Sequence, residues 1–95
     1  MSIPQDPAFP RFTEKQGQYL AFIRTYLLLN RRAPAEADFQ AFFQVTPPSV
    51  HGMILQLERR GLVRRTPRQA RSIELLIDPT DIPPLQPIKT TVGGY

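Results

Sequence analysis

A chain of 95 residues, 41% apolar and 21% charged, is long enough for one globular core and too short for two. No stretch approaches the roughly 18 consecutive apolar residues of a membrane span, and Met1–Pro7 lacks the basic and then apolar order of a secretory signal. With no cysteine in the sequence, a disulfide framework, a thiolate metal site and a cysteine nucleophile are all excluded, while a net charge of +4 suggests a polyanionic partner.

Pro4, Pro7 and Pro10 mark residues 1–12 as an irregular N-terminal arm. Thr13-Glu14-Lys15-Gln16 then has the form of a capping box, Thr13 as N-cap with Gln16 reaching back to it. Tyr19, Leu20, Ile23, Tyr26 and Leu27 recur at the spacing of one helical stripe, which Leu28 and Leu29 are expected to widen. Pro34 disfavours helical geometry at Ala33 and so closes this first helix. A second, shorter helix is predicted over about Ala35–Phe43. Its opening acids Glu36 and Asp38 complement the helix dipole, and Phe39, Phe42 and Phe43 face inward. Thr46 followed by Pro47 reads as the N-cap and first residue of a third helix, buried along Val50, Met53, Ile54 and Leu57 and stopped at Gly61.

Leu62–Thr66 and Ser72–Ile77 have strand character, the second with Ile73, Leu75 and Ile77 in alternation, and Pro67–Arg71 is the loop between them. The predicted class is therefore α+β and mainly α. Its form is a three-helix winged helix-turn-helix over residues 13–77, closed by a two-stranded hairpin wing. Residues 78–95 form a proline-rich tail whose Ile82, Pro83, Pro84, Leu85 and Ile88 are expected to pack on the domain or on a second chain.

The charge is concentrated. Six arginines (Arg59, Arg60, Arg64, Arg65, Arg68, Arg71) and no acid fall between positions 59 and 71, while the rest of the chain carries six Lys or Arg against eight acids. Arginine favours multidentate phosphate contacts. A basic run alone is more readily a solvated surface with no partner; its place at the end of a recognition helix and along a wing is what favours DNA. In such a fold the N-terminal residues of the second motif helix meet base edges in the major groove, and the wing meets the flanking backbone or minor groove.

Several segments together resemble the N-terminal DNA-binding domain of LexA repressors, over about Phe12–Ile77. They are Thr13–Gln16 with Phe22-Ile23-Arg24, Arg32-Ala33-Pro34, and Val50-His51 followed by Leu57-Glu58-Arg59-Arg60-Gly61-Leu62-Val63-Arg64-Arg65. The Leu-Glu-Arg-Arg-Gly-Leu-Val run is shared with other winged helices such as MarR-type regulators. Helix one and its spacing to the third helix sharpen the likeness to LexA. The resemblance implies base reading by Thr46, Pro48, Ser49, His51 and Gly52. Here the sequence departs from the family pattern: Pro48 lacks a donor and Gly52 lacks a side chain, so the family's operator is not carried over. Nor does the resemblance extend to the family's self-cleaving Ser/Lys domain, and autoproteolysis is not expected.

His51 is the lone histidine, without the partners a metal site needs. It is either a solvated helix residue or, as its position favours, a base or phosphate contact. Ser49 either supports the helix start or touches DNA. Glu36, Asp38, Glu58 and Glu74 are scattered, and with no Ser/His/Asp set or Gly-rich phosphate loop neither an enzyme nor a cofactor is expected. The expected function is sequence-specific binding of double-stranded DNA as a small LexA-like transcriptional regulator, in the form of a repressor. It would act in the cytoplasm at the bacterial nucleoid, as a homodimer joined through the C-terminal tail or another surface. The alternative is a winged-helix module whose arginine patch binds an acidic protein. RNA binding fits less well, because exposed stacking aromatics are not evident.

Overall fold

The computed structural model describes residues 12–87; residues 1–11 of the arm, with its three prolines, and Ile88 of the tail lie outside them. Helix α1 (Glu14–Asn30) begins at the predicted capping box. The Thr13 hydroxyl accepts from the Gln16 N–H at 3.1 Å, and the Gln16 side-chain oxygen accepts from the Thr13 N–H at 2.9 Å. Gln16 is buried, and its amide also donates to Gln56 at 3.0 Å, so one side chain serves both the cap and a long-range contact. The helix stops before Pro34 is reached: Arg31 turns left-handed, with φ 58°, and its N–H donates to the Leu27 carbonyl.

Tyr19, Leu20 and Ile23 are sealed in the core. Leu28 and Leu29 do not widen the stripe as the sequence suggests, being 69% and 77% exposed. Each residue advances about 100° around a helix. These two therefore rotate away from the side on which Tyr26 and Leu27 pack, and nothing among the described residues covers them.

Helix α2 (Glu36–Phe43) is anchored at its start by Asp38, whose carboxylate accepts from the Ala35 N–H at 2.8 Å. Phe39 is fully buried, its ring 5.4 Å from Tyr19 and 5.0 Å from Phe22. Tyr19 stacks on Phe43 at 4.3 Å, and Phe22 on Phe42 at 4.9 Å. Aromatic pairs at these separations add to area burial, and burial pushes the Tyr19 hydroxyl above its ordinary value. Gln44, left-handed at φ 57°, ends α2 and turns the chain toward α3 (Pro47–Arg59).

Val50, Ile54 and Leu57 of α3 are buried against this aromatic group. At its C-terminal end the Leu62 N–H donates to the Leu57 carbonyl and the Gly61 N–H to the Glu58 carbonyl. This is a Schellman cap, and Gly61 supplies the required positive φ of 74°. Strands β1 (Val63–Arg64) and β2 (Glu74–Leu75) pair antiparallel, Val63 opposite Leu75 and Arg64 opposite Glu74. Both are shorter than the sequence pattern implies. Ser72 explains why: its hydroxyl accepts from the Thr66 N–H at 2.9 Å and donates to the Thr66 carbonyl at 3.1 Å, replacing the next ladder pair with side-chain bonds.

Beyond β2 the chain runs as a strap. Asp78 caps a 3-10 turn at Pro79–Asp81; its hydrogen bonds from the Thr80 N–H and then the Thr80 hydroxyl hold its carboxyl below the ordinary value. Ile82 is buried in the core and Leu85 packs on it. Gln18 of α1 pins the strap by donating to the Pro84 carbonyl at 3.0 Å and accepting from the Gln86 N–H at 2.7 Å. Of the tail's expected apolar residues, Ile82, Pro83 and Leu85 thus lie on the domain itself, whereas Pro84 is exposed and is held only by its carbonyl.

Candidate nucleic-acid interface

The start of α3 is built as an exposed, capped helix end. Thr46 accepts from the Ser49 N–H at 3.4 Å, and its hydroxyl donates to Ser49 Oγ at 3.0 Å. Pro47 and Pro48 occupy the first turn, where a missing N–H leaves no helical bond unmade. Thr46, Pro48, Ser49 and His51 are all exposed, and Gly52 is half-buried. A Cβ on Gly52 would meet nothing within 4 Å. Gly52→Ala is therefore expected to raise stability by about 1 kcal/mol, read as a higher urea midpoint with an unchanged slope.

His51 Nδ1 lies 3.2 Å from Glu36 Oε2, joining α3 to the first turn of α2. Both side chains are well exposed, so the contact exchanges readily with solvent or a ligand.

The six arginines do not form a uniform patch. Arg59, Arg60, Arg64 and Arg68 are exposed; Arg65 and Arg71 are half-buried. Arg64 pairs across the hairpin with Glu74 at 2.6 Å, and Glu74, through that hydrogen bond and then through its charge, raises the guanidinium above its ordinary value. Arg65 reaches back along the chain to Glu58 at 3.3 Å. Arg68 sits at the hairpin tip in a left-handed conformation, φ 63°, and Arg59 at the end of α3; neither pairs with a carboxylate among the described residues.

Arg71, expected to line the outside of the wing, turns inward to Tyr26, Ala33 and Asp38. Sequence reading missed these three acceptors, along with the Gln16–Gln56 contact. All lie between 33 and 45 positions from their partners, and no local pattern announces them.

Among the described residues no group of His, Cys, Asp and Glu gathers to hold a metal, and no helix is long and apolar enough to cross a membrane. Three helices with a tight turn before the third, followed by an antiparallel hairpin, define a winged helix-turn-helix.

The LexA DNA binding domain family matches residues 10–72, and this chain belongs to that family. It is 36% identical over 66 residues to the LexA repressor of Thermosipho melanesiensis, covering 70% of this chain and 33% of that protein. Against the LexA repressor of Bacillus subtilis it is 31% identical over 85 residues, 88% of this chain and 42% of that protein. For the LexA repressor of Clostridium acetobutylicum the figures are 37% over 65 residues, 67% and 32%. The chain thus spans about a third to two fifths of these relatives' length.

Proposed function

We propose that this protein binds double-stranded DNA in a sequence-dependent manner and acts as a LexA-like transcriptional repressor by occluding its site. The carrying observation is that the N-terminal turn of α3 is exposed and that the hairpin following α3 exposes the basic side chains Arg64 and Arg68. In the proposed docking, Thr46, Pro48, Ser49, His51 and Gly52 enter the major groove. Arg59, Arg60, Arg64, Arg65 and Arg68 meet phosphates along the flanking backbone or in the minor groove.

The Arg64–Glu74 pair is compatible with this role, because an exposed ion pair is weakly held and a phosphate can take the place of the carboxylate. A homodimer on paired half-sites, in the cytoplasm at the nucleoid, completes the proposal. One such domain alone offers a small footprint, and family membership supports the class of ligand.

Salt titration on a duplex selected from a random library tests this. Contacts to about six phosphates predict a fall in affinity of about a thousandfold between roughly 50 and 200 mM salt. Replacing Arg59, Arg64 and Arg68 by Ala is expected to weaken all duplexes alike, whereas changing Ser49 or His51 is expected to reorder the preferred sequences. Binding to an acidic protein but to no duplex would instead support an interaction module and overturn the docking.

A further inference from the structure

Arg71 stands at the end of the hairpin loop, yet its guanidinium is engaged inside the fold. Nη1 donates to the Tyr26 hydroxyl at 3.2 Å, to the Ala33 carbonyl at 3.1 Å and to Asp38 Oδ2 at 3.1 Å. Cζ lies 5.9 Å from the centre of the Tyr26 ring. The three acceptors belong to α1, to the α1–α2 connection and to α2, so one side chain ties the wing to both elements of the helical body. The same Asp38 oxygen accepts from the Ala35 N–H, which fixes it independently of Arg71. The Tyr26 hydroxyl first, with Asp38 after it, holds the guanidinium above its ordinary value despite partial burial.

Two further observations bear on this contact. The backbone at Arg71 is left-handed, φ 56°, a conformation glycine adopts freely and a side-chain-bearing residue adopts at a cost. A cleft of about 290 Å³ also separates the hairpin loop from the start of α2, lined by Pro34, Glu36, Arg65, Arg68 and Ile73. The loop is therefore not packed flush on the helices, and Arg71 crosses between them as a strut.

We propose that Arg71 is a positioning residue that fixes the wing against α1 and α2, so that Arg64 and Arg68 reach DNA at a set distance from α3. This rests on the DNA-binding reading and deepens it, because it separates one arginine of the basic run from the phosphate contacts.

Amide hydrogen exchange and salt-dependent duplex binding on Arg71→Ala, Asp38→Asn and Arg68→Ala test the assignment. Exchange at Arg64 and Glu74 is expected to quicken about tenfold or more in the first two variants, with Leu20 and Ile54 unchanged to show that the body still folds. Both should lose roughly 3- to 30-fold in DNA affinity with the salt slope of the parent protein, whereas Arg68→Ala should lower that slope by about 0.9. Asp38→Asn is the sharper arm: it removes a negative charge, which by electrostatics alone would tighten DNA binding.

Tighter binding by Asp38→Asn overturns the proposal. So does an Arg71→Ala variant with unaltered hairpin exchange and a slope lowered by about 0.9. If the parent protein binds no duplex at all, the DNA reading fails, and hairpin exchange alone decides the strut.

Discussion

Phe39→Ala is expected to cost about 3–5 kcal/mol and to leave little folded protein. Phe39 is fully buried and meets Tyr19 and Phe22 on two sides. Removing its ring leaves a cavity that three helices cannot readily close, because each of these neighbours is already stacked on another aromatic. A single core of this size seldom holds more than about 3–5 kcal/mol in total, so the loss is comparable to the whole stability. Phe42→Ala serves as the control. That ring is only half-buried, and its removal should cost clearly less. Urea denaturation followed by circular dichroism measures both, and a Phe39→Ala midpoint close to that of Phe42→Ala would show that the core is not centred where the packing places it.

Gly17→Leu should detach the strap from the body. Glycine inside a helix costs about 1 kcal/mol relative to alanine, and here its use is spatial. A Cβ at Gly17 would stand 3.0 Å from a Phe12 ring carbon and 3.1 Å from Pro83 Cγ, where the residue before α1 meets the strap. A leucine there must push both aside. Overpacking of this kind costs about 1–3 kcal/mol, and uncovering Ile82 adds to it. Limited proteolysis should then cut within residues 78–87 while the helices survive. Protection of that segment equal to the parent protein's would show that the contact tolerates a side chain. Gly17 and Gly52 thus predict opposite signs for adding a side chain to a helical glycine, one sandwiched and the other open.

Much of the fold was legible because its signals are local. Thr13 with Gln16, Thr46 with Pro47, and Gly61 after Arg60 mark helix ends within four residues of chain, and the structure places helix ends at all three. The Phe39 stripe was legible for the same reason. The errors came where the outcome depends on what packs or bonds across elements, which no helix or strand periodicity encodes. Leu28 and Leu29 continue an apolar run, but no element among the described residues packs over the outer side of α1's last turn. Ser72 shortens the hairpin by competing for Thr66, a contest that strand propensity does not register.

The candidate site divides the same way. The order of basic residues along the chain was readable, but their pairings with Glu74, Glu58 and Asp38 were not, since each depends on how the hairpin and helices come together. A count of six arginines therefore overstates the positive charge this surface offers to a ligand.

The grip of Gln18 on Pro84 and Gln86 also has a consequence for geometry at longer range. Two bonds to one side chain set both the place and the heading with which the backbone departs from α1. Anything joined after Gln86 begins its search for a second binding surface from a fixed origin rather than from a swinging stalk. The length of chain available to it is then counted from Gln86 rather than from β2. Loosening the Gln18 clasp would lengthen the effective tether without adding a residue to it.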